Sequence, residues 1–130
     1  MQLIYDHECP ACDYYVHLVR IRESFGDLEL VDARTNPPVM AEINAAGLDI
    51  DQGMVLKVDD QLYYGADAIH ALAIMGSNSG FFNRLNYWVF RSNALASVLY
   101  PLLRAGRNLL LKIRGVRKIN NLGLSQKDTF

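Results

Sequence analysis

The chain has 130 residues, 51% hydrophobic and 21% charged, which fits one globular domain with a real core and excludes a disordered or fibrous chain. Two cysteines are too few for a disulfide scaffold. The net charge of −1 conceals a division, with a balance of −9 over residues 1–80 and +8 over residues 81–130; either the two segments attract each other within one fold or the second presents a basic surface.

The opening MQLIYD has no basic stretch, no long apolar run and no small-residue cleavage site, so it does not read as a signal peptide. The expected compartment is the cytoplasm, where a CxxC pair is more often catalytic or metal-binding than structural. Residues 2–6 form a short apolar run, a buried strand by pattern. From Pro10 the period changes: Tyr14, Leu18, Ile21 and Phe25 fall at helical spacing, and Gly26-Asp27 ends that helix. Pro10 suits the first helical position, where its missing N–H has no partner to lose. DLELVDA then alternates as a strand, with Leu28 and Leu30 on one face and Glu29 and Val31 on the other. Asn36-Pro37-Pro38 opens a helix over roughly 38–46, which Gly47 stops.

MVLKVDDQLYYG reads as a hairpin turning at Asp59-Asp60, with Met54, Leu56 and Val58 sharing a face. ADAIHALAIM is helical and stops at Gly76. The order β-α-β-α-β-β-α implies a small sheet with helices packed on it, an α/β fold. SNSG, residues 77–80, is the expected internal boundary. Beyond it the pattern is helical: Phe82, Leu85 and Val89 form one stripe, and Leu95 to Ile113 continue at three- and four-residue steps. Pro101 must start a new helix or kink the existing one. Arg91, Arg104 and Arg107 interrupt the apolar run well short of the roughly 20 residues a membrane span needs. The expected organisation is a core over residues 1–76, helices over 77–114 packed on it within the same domain, and a polar tail over 115–130. Docking of the basic helices on a membrane surface is the lesser alternative. No nucleic-acid-binding motif is present, so nucleic acid is not an expected partner, and oligomeric state is left open.

Both cysteines fall in DHECPACD, where the first strand hands over to a helix. A thiolate there gains from the helix dipole and from free first-turn N–H groups, which lower cysteine pKa values. Cys9 is the expected outward nucleophile, and Cys12, one turn on and more buried, the resolving thiol. Asp6 and Glu8 oppose this, because negative neighbours raise a thiol pKa. Asp6, at the strand end, is a candidate acceptor for the proton of Cys12. His7 is either a thiolate partner or a solvated turn residue. A CxxC at a strand-to-helix junction in this element order is the context of a thioredoxin-like redox motif.

Asp6, Cys9, Pro10 and Cys12, followed much later by Gly65, Ala66, Asp67 and Ala68, spell D-x-x-C-P-x-C and G-A-D-A. The sequence thereby resembles the DCC family of thiol-disulfide oxidoreductase-like proteins, most strongly over residues 2–35 and 53–76. Tyr100 and Arg107 look like the spaced Tyr and Arg of that family. The resemblance implies a thioredoxin-like core with a C-terminal helical extension, and dithiol–disulfide exchange with a protein or small-thiol substrate and no cofactor. It departs from thioredoxins in two respects, of which the C-terminal helical extension, absent from a minimal thioredoxin fold, is one and the missing cis-proline the other. No proline precedes MVLKV, and Gly53-Met54 occupy the place of the substrate-binding cis-proline. His7, Pro10, Gly53, Met54, Gly65 and Asp67 are the candidate substrate-binding residues. Gly65 and Asp67 also have a plain structural reading, as a tight turn and a first-turn acid favoured by the helix dipole.

Two other readings remain open at this point. Cys9, Cys12 and His7, with Asp6 or Asp13, offer ligands to a metal, though no second CxxC completes a zinc set, and no metal is expected. Alternatively, the fold is a non-catalytic interaction module whose contact surface lies around Tyr87, Trp88, Phe90 and Arg91.

Overall fold

The computed structural model describes residues 1–18, 28–75, 84, 88–89, 91–124, 126 and 129–130. The expected helix end at Gly26-Asp27, the stop at Gly76, the SNSG boundary, and Ile21, Phe25, Phe82, Leu85, Tyr87 and Phe90 lie outside the described residues. The described residues form β1 (Gln2–Tyr5), α1 (Pro10–Leu18), β2 (Glu29–Asp32), α2 (Pro37–Ala45), β3 (Val55–Val58), β4 (Gln61–Tyr64), α3 (Ala66–Met75) and α4 (Asn93–Arg114).

The strands make one sheet in the order β2-β1-β3-β4. β1 and β2 run parallel, with Leu3 opposite Leu30, so the connection between them carries α1 as a crossover. β3 lies antiparallel on the other side of β1, and β4 returns from β3 through Asp59-Asp60, where Asp59 takes φ 52°. The two-residue side-chain period then divides the core. Leu3, Tyr5, Leu28, Met54 and Leu56 face one side and pack with α1, α3 and α4 through Val16, Leu72 and Leu111. Ile4, Val31 and Val55 face the other side, where α2 covers them with Met40 and Ile43. The result is a three-layer α/β fold consistent with the thioredoxin-like class.

Local chemistry sets the helix limits. Asn36 Oδ1 accepts from Val39 N–H at 3.4 Å and caps α2, and Pro37 opens it. Gly47, at φ 68°, carries the chain away. Pro101 starts no new helix, since α4 runs through it. The residue is exposed on the outer side, where losing one backbone donor is met by solvent. α4 packs on α3 and α1. Its outer side leaves Val98, Leu102, Leu109 and Ile113 exposed. Among the described residues no helix is long and apolar enough to cross a membrane.

Candidate active site

The turn after β1 and the start of α1 are held by Asp6 and Cys9. Asp6 C=O accepts from Cys9 N–H, and Cys9 C=O accepts the first helical bond from Asp13 N–H, both at 3.0 Å. Cys9 is therefore the N-cap, Pro10 the first helical residue, and Cys12 sits at the third position. Cys9 Sγ accepts from Cys12 N–H at 3.3 Å, so the sulfur takes the part of a capping hydroxyl oxygen. The two sulfurs are 2.7 Å apart, and both cysteines are free thiols. Pro10 is where its backbone chemistry predicts, half-buried at the helix start.

The expected outward placement of Cys9 is overturned. Cys9 has 0% of its surface exposed and Cys12 keeps 7%. The reason lies 98 residues away: Arg107, on α4, donates from Nε to Cys9 Sγ at 3.2 Å. Arg107 as a whole is 9% exposed, and the Phe130 ring lies 5.7 Å from the central carbon of its guanidinium.

This arrangement separates the two thiols electrostatically. The Cys12 S–H donated to Cys9, against the cost of burial, together with the charge and hydrogen bond of Arg107 and the Cys12 N–H, lowers the Cys9 pKa from 9.0 to about 6. Cys12 is pushed far up by that same hydrogen bond to Cys9, by burial, and by the negative charges of Cys9 and Asp6; Arg107 opposes these only in part. The two shifts favour the proton on Cys12 and the negative charge on Cys9. Burial works against the charge of Arg107, but the neighbouring cysteines and the bond to Cys9 more than restore it.

The acidic flank has its own cation. Arg34, just past β2, donates to Asp6 Oδ1 from Nε at 2.8 Å and to Oδ2 from Nη2 at 3.0 Å. It also lies 3.4 Å from Glu8 Oε2 and donates to the Arg117 carbonyl at 2.6 Å. Asp6 Oδ1 accepts from Glu8 N–H as well, at 3.0 Å. The Asp6 side chain is fully buried, with Oδ1 accepting from Arg34 Nε and Glu8 N–H and Oδ2 accepting from Arg34 Nη2. Sequence reasoning gave Arg34 no role and Arg107 none beyond the resemblance. The available signal was the buried strand-end carboxylate, which requires a cation somewhere in the chain.

The remaining candidates divide. Gly53 and Met54 line a cavity of about 160 Å³ together with Cys12, Tyr100, Arg104 and Arg107. His7, Pro10, Gly65 and Asp67 are not part of its wall. His7 is exposed, with Nδ1 at 3.3 Å from Tyr5 Oη and 3.4 Å from Asp13 Oδ1. Asp67 is exposed in the first turn of α3. Gly65, at φ 57°, donates to Met54 C=O, and a Cβ there would stand 3.0 Å from the Tyr100 ring, so its part is a close approach of backbone to α4. Among the described residues no group of three His, Cys, Asp or Glu could hold a metal.

With this geometry, the chain matches the DCC1-like thiol-disulfide oxidoreductase family over residues 3–112. The chain belongs to that family. No curated protein and no solved structure matches it. Family membership indicates thiol–disulfide oxidoreductase-like chemistry, and two thiols, Cys9 and Cys12, lie close together in the chain that carries it.

Proposed function

We propose that the protein is a dithiol–disulfide oxidoreductase in which Cys9 is the nucleophilic thiolate and Cys12 the thiol that closes the disulfide with it. The carrying observation is the donor set on Cys9 Sγ, made of Arg107 Nε at 3.2 Å and Cys12 N–H at 3.3 Å beside the second thiol. A sulfur that accepts from a guanidinium and a backbone N–H is suited to carry negative charge, and the thiolate is the species that attacks disulfides. Asp6 acts as a positioning residue. It fixes the turn that presents Cys9 and keeps the proton on Cys12, while Arg34 balances its charge.

A redox titration of the Cys9/Cys12 couple tests this reading. Stabilising the Cys9 thiolate stabilises the reduced form, so the couple is more oxidising than one with an ordinary thiol. A Cys9 pKa of about 6 lies between the values of about 7 for thioredoxin and about 3.5 for DsbA. The expected potential therefore lies between about −270 and about −120 mV. A pair that does not close reversibly would overturn the proposal.

A further inference from the structure

Approach to the redox pair is one-sided. Cys9 has no exposed surface, whereas Cys12 forms part of the wall of the 160 Å³ cavity. A cavity of about 150 Å³ holds a molecule the size of benzene. Ala11, Tyr15, Met54 and Leu103 give this one an apolar wall, Arg104 and Arg107 supply two positive charges, and the described residues of the wall include no carboxylate. Arg107 directs Nε at Cys9. A guanidinium pairs with a carboxylate through charge-assisted N–H bonds, so the two arginines of the wall favour a ligand that carries one.

We propose that this cavity admits a thiol or disulfide carrying a carboxylate, and that this partner exchanges at Cys12 rather than at Cys9. The inference rests on the Cys9/Cys12 couple proposed above and departs from it for this small partner: exchange takes place at Cys12, and Cys9 is the thiolate that opens and closes the internal disulfide. Starting from the oxidised pair, an incoming thiolate attacks Cys12 Sγ. A new sulfur–sulfur bond forms to Cys12, the Cys9–Cys12 bond breaks, and its electron pair leaves on Cys9, where Arg107 and the Cys12 N–H receive it. A second thiolate attacks the substrate sulfur of the mixed disulfide. The small disulfide departs, and Cys12 leaves as a thiolate that takes up a proton. Two small thiols are thus oxidised as the protein disulfide is reduced. In reverse, Cys9 is the internal nucleophile that expels the substrate thiolate from Cys12. A leaving thiol of low pKa departs faster, so the covered Cys9 is suited to this part.

Cys9→Ser and Cys12→Ser, each retaining one thiol, are incubated with dithiodipropionate, which carries two carboxylates, or with cystamine, which carries two amines. Adducts are timed by intact-mass spectrometry and corrected for thiolate fraction. The Cys12 adduct should form about tenfold faster than the Cys9 adduct, as access rather than thiolate content then decides. Dithiodipropionate should outpace cystamine by about fivefold, the ratio for a charge pair worth about 1 kcal/mol. Arg104→Gln in the Cys9→Ser background should reduce that preference. As a second measurement, oxidised wild-type protein is mixed with mercaptopropionate, quenched in acid and alkylated, and the mixed disulfide is mapped; it should sit on Cys12. A faster adduct at Cys9, a mixed disulfide on Cys9, or a preference for cystamine overturns the inference. If the wild-type pair cycles with dithiothreitol while these results fail, the route is wrong and the oxidoreductase reading stands. If the pair does not cycle, both fall.

Discussion

Arg34 holds the buried carboxylate of Asp6 by two parallel hydrogen bonds of 2.8 and 3.0 Å, across a separation of 28 residues. A forked contact of this kind fixes direction as well as charge. It reconciles an acidic flank with a thiolate site, because the flank is neutralised on one side while Arg107 serves Cys9 on the other.

Removing Arg34 leaves the Asp6 charge buried and unpaired. Arg34→Ala is expected to destabilise the fold by about 3 kcal/mol, the lower end for a broken buried pair, since Arg34 itself is partly exposed. Urea unfolding of the variant measures this. Arg34→Lys should recover only part of the loss, because an ammonium cannot reproduce the fork.

The stability of the reduced protein should depend on pH through the thiols. The Cys9 pKa is lower folded, at about 6, than its ordinary value of 9.0. Its contribution is therefore complete above pH 9, falls as pH falls, and is gone below pH 6. The amplitude is on the order of 4 kcal/mol. Cys12 is shifted the opposite way, so stability declines again once pH rises past the ordinary thiol range. Unfolding of reduced wild type against Cys9→Ser, compared from pH 6 to 9, should show the rise only in wild type.

Arg107→Gln keeps a donor near Cys9 and removes the charge. The Cys9 titration midpoint, followed by ultraviolet thiolate absorbance, should move upward by about one unit, as expected for a lost charge at close range. The couple should become more reducing with it. An unchanged midpoint would mean that the Cys12 hydrogen bond alone sets the Cys9 pKa.

Gly53 faces the end of Tyr100, whose hydroxyl donates to Gln52 C=O at 2.9 Å, and a Cβ on Gly53 would collide with that oxygen. Gly53→Ala is expected to cost about 1–3 kcal/mol, the usual range for overpacking. Tyr100→Phe removes the colliding oxygen. The double variant should therefore be more stable than the sum of the single losses predicts, a coupling that a double-mutant cycle reads directly.

The strands and the helix starts were legible because they are local. Leu3 and Ile4 differ in face by the two-residue period, and Asn36-Pro37 carries its own capping chemistry. The redox pair was legible for the same reason, being four residues at one junction. Its environment was not. Arg34 and Arg107 reach it from 28 and 98 residues away, and no periodicity marks an arginine that turns inward. The burial of Cys9 followed from the same omission, since the turn alone would leave that sulfur in water and α4 covers it. Gly53 and Met54, which immediately precede β3, line the cavity together with Cys12.

The pairing of Cys9 with Arg107 also means that the proposed redox centre belongs to no contiguous stretch. A fragment carrying the whole sheet and both cysteines would keep the motif and lose its tuning, because the cation arrives on the last helix. Grafting the four-residue motif onto another scaffold would transfer the reactive atoms without their set point. Reactivity at Cys9 thus reports on whether α4 is seated, which makes the thiolate a built-in gauge of assembly.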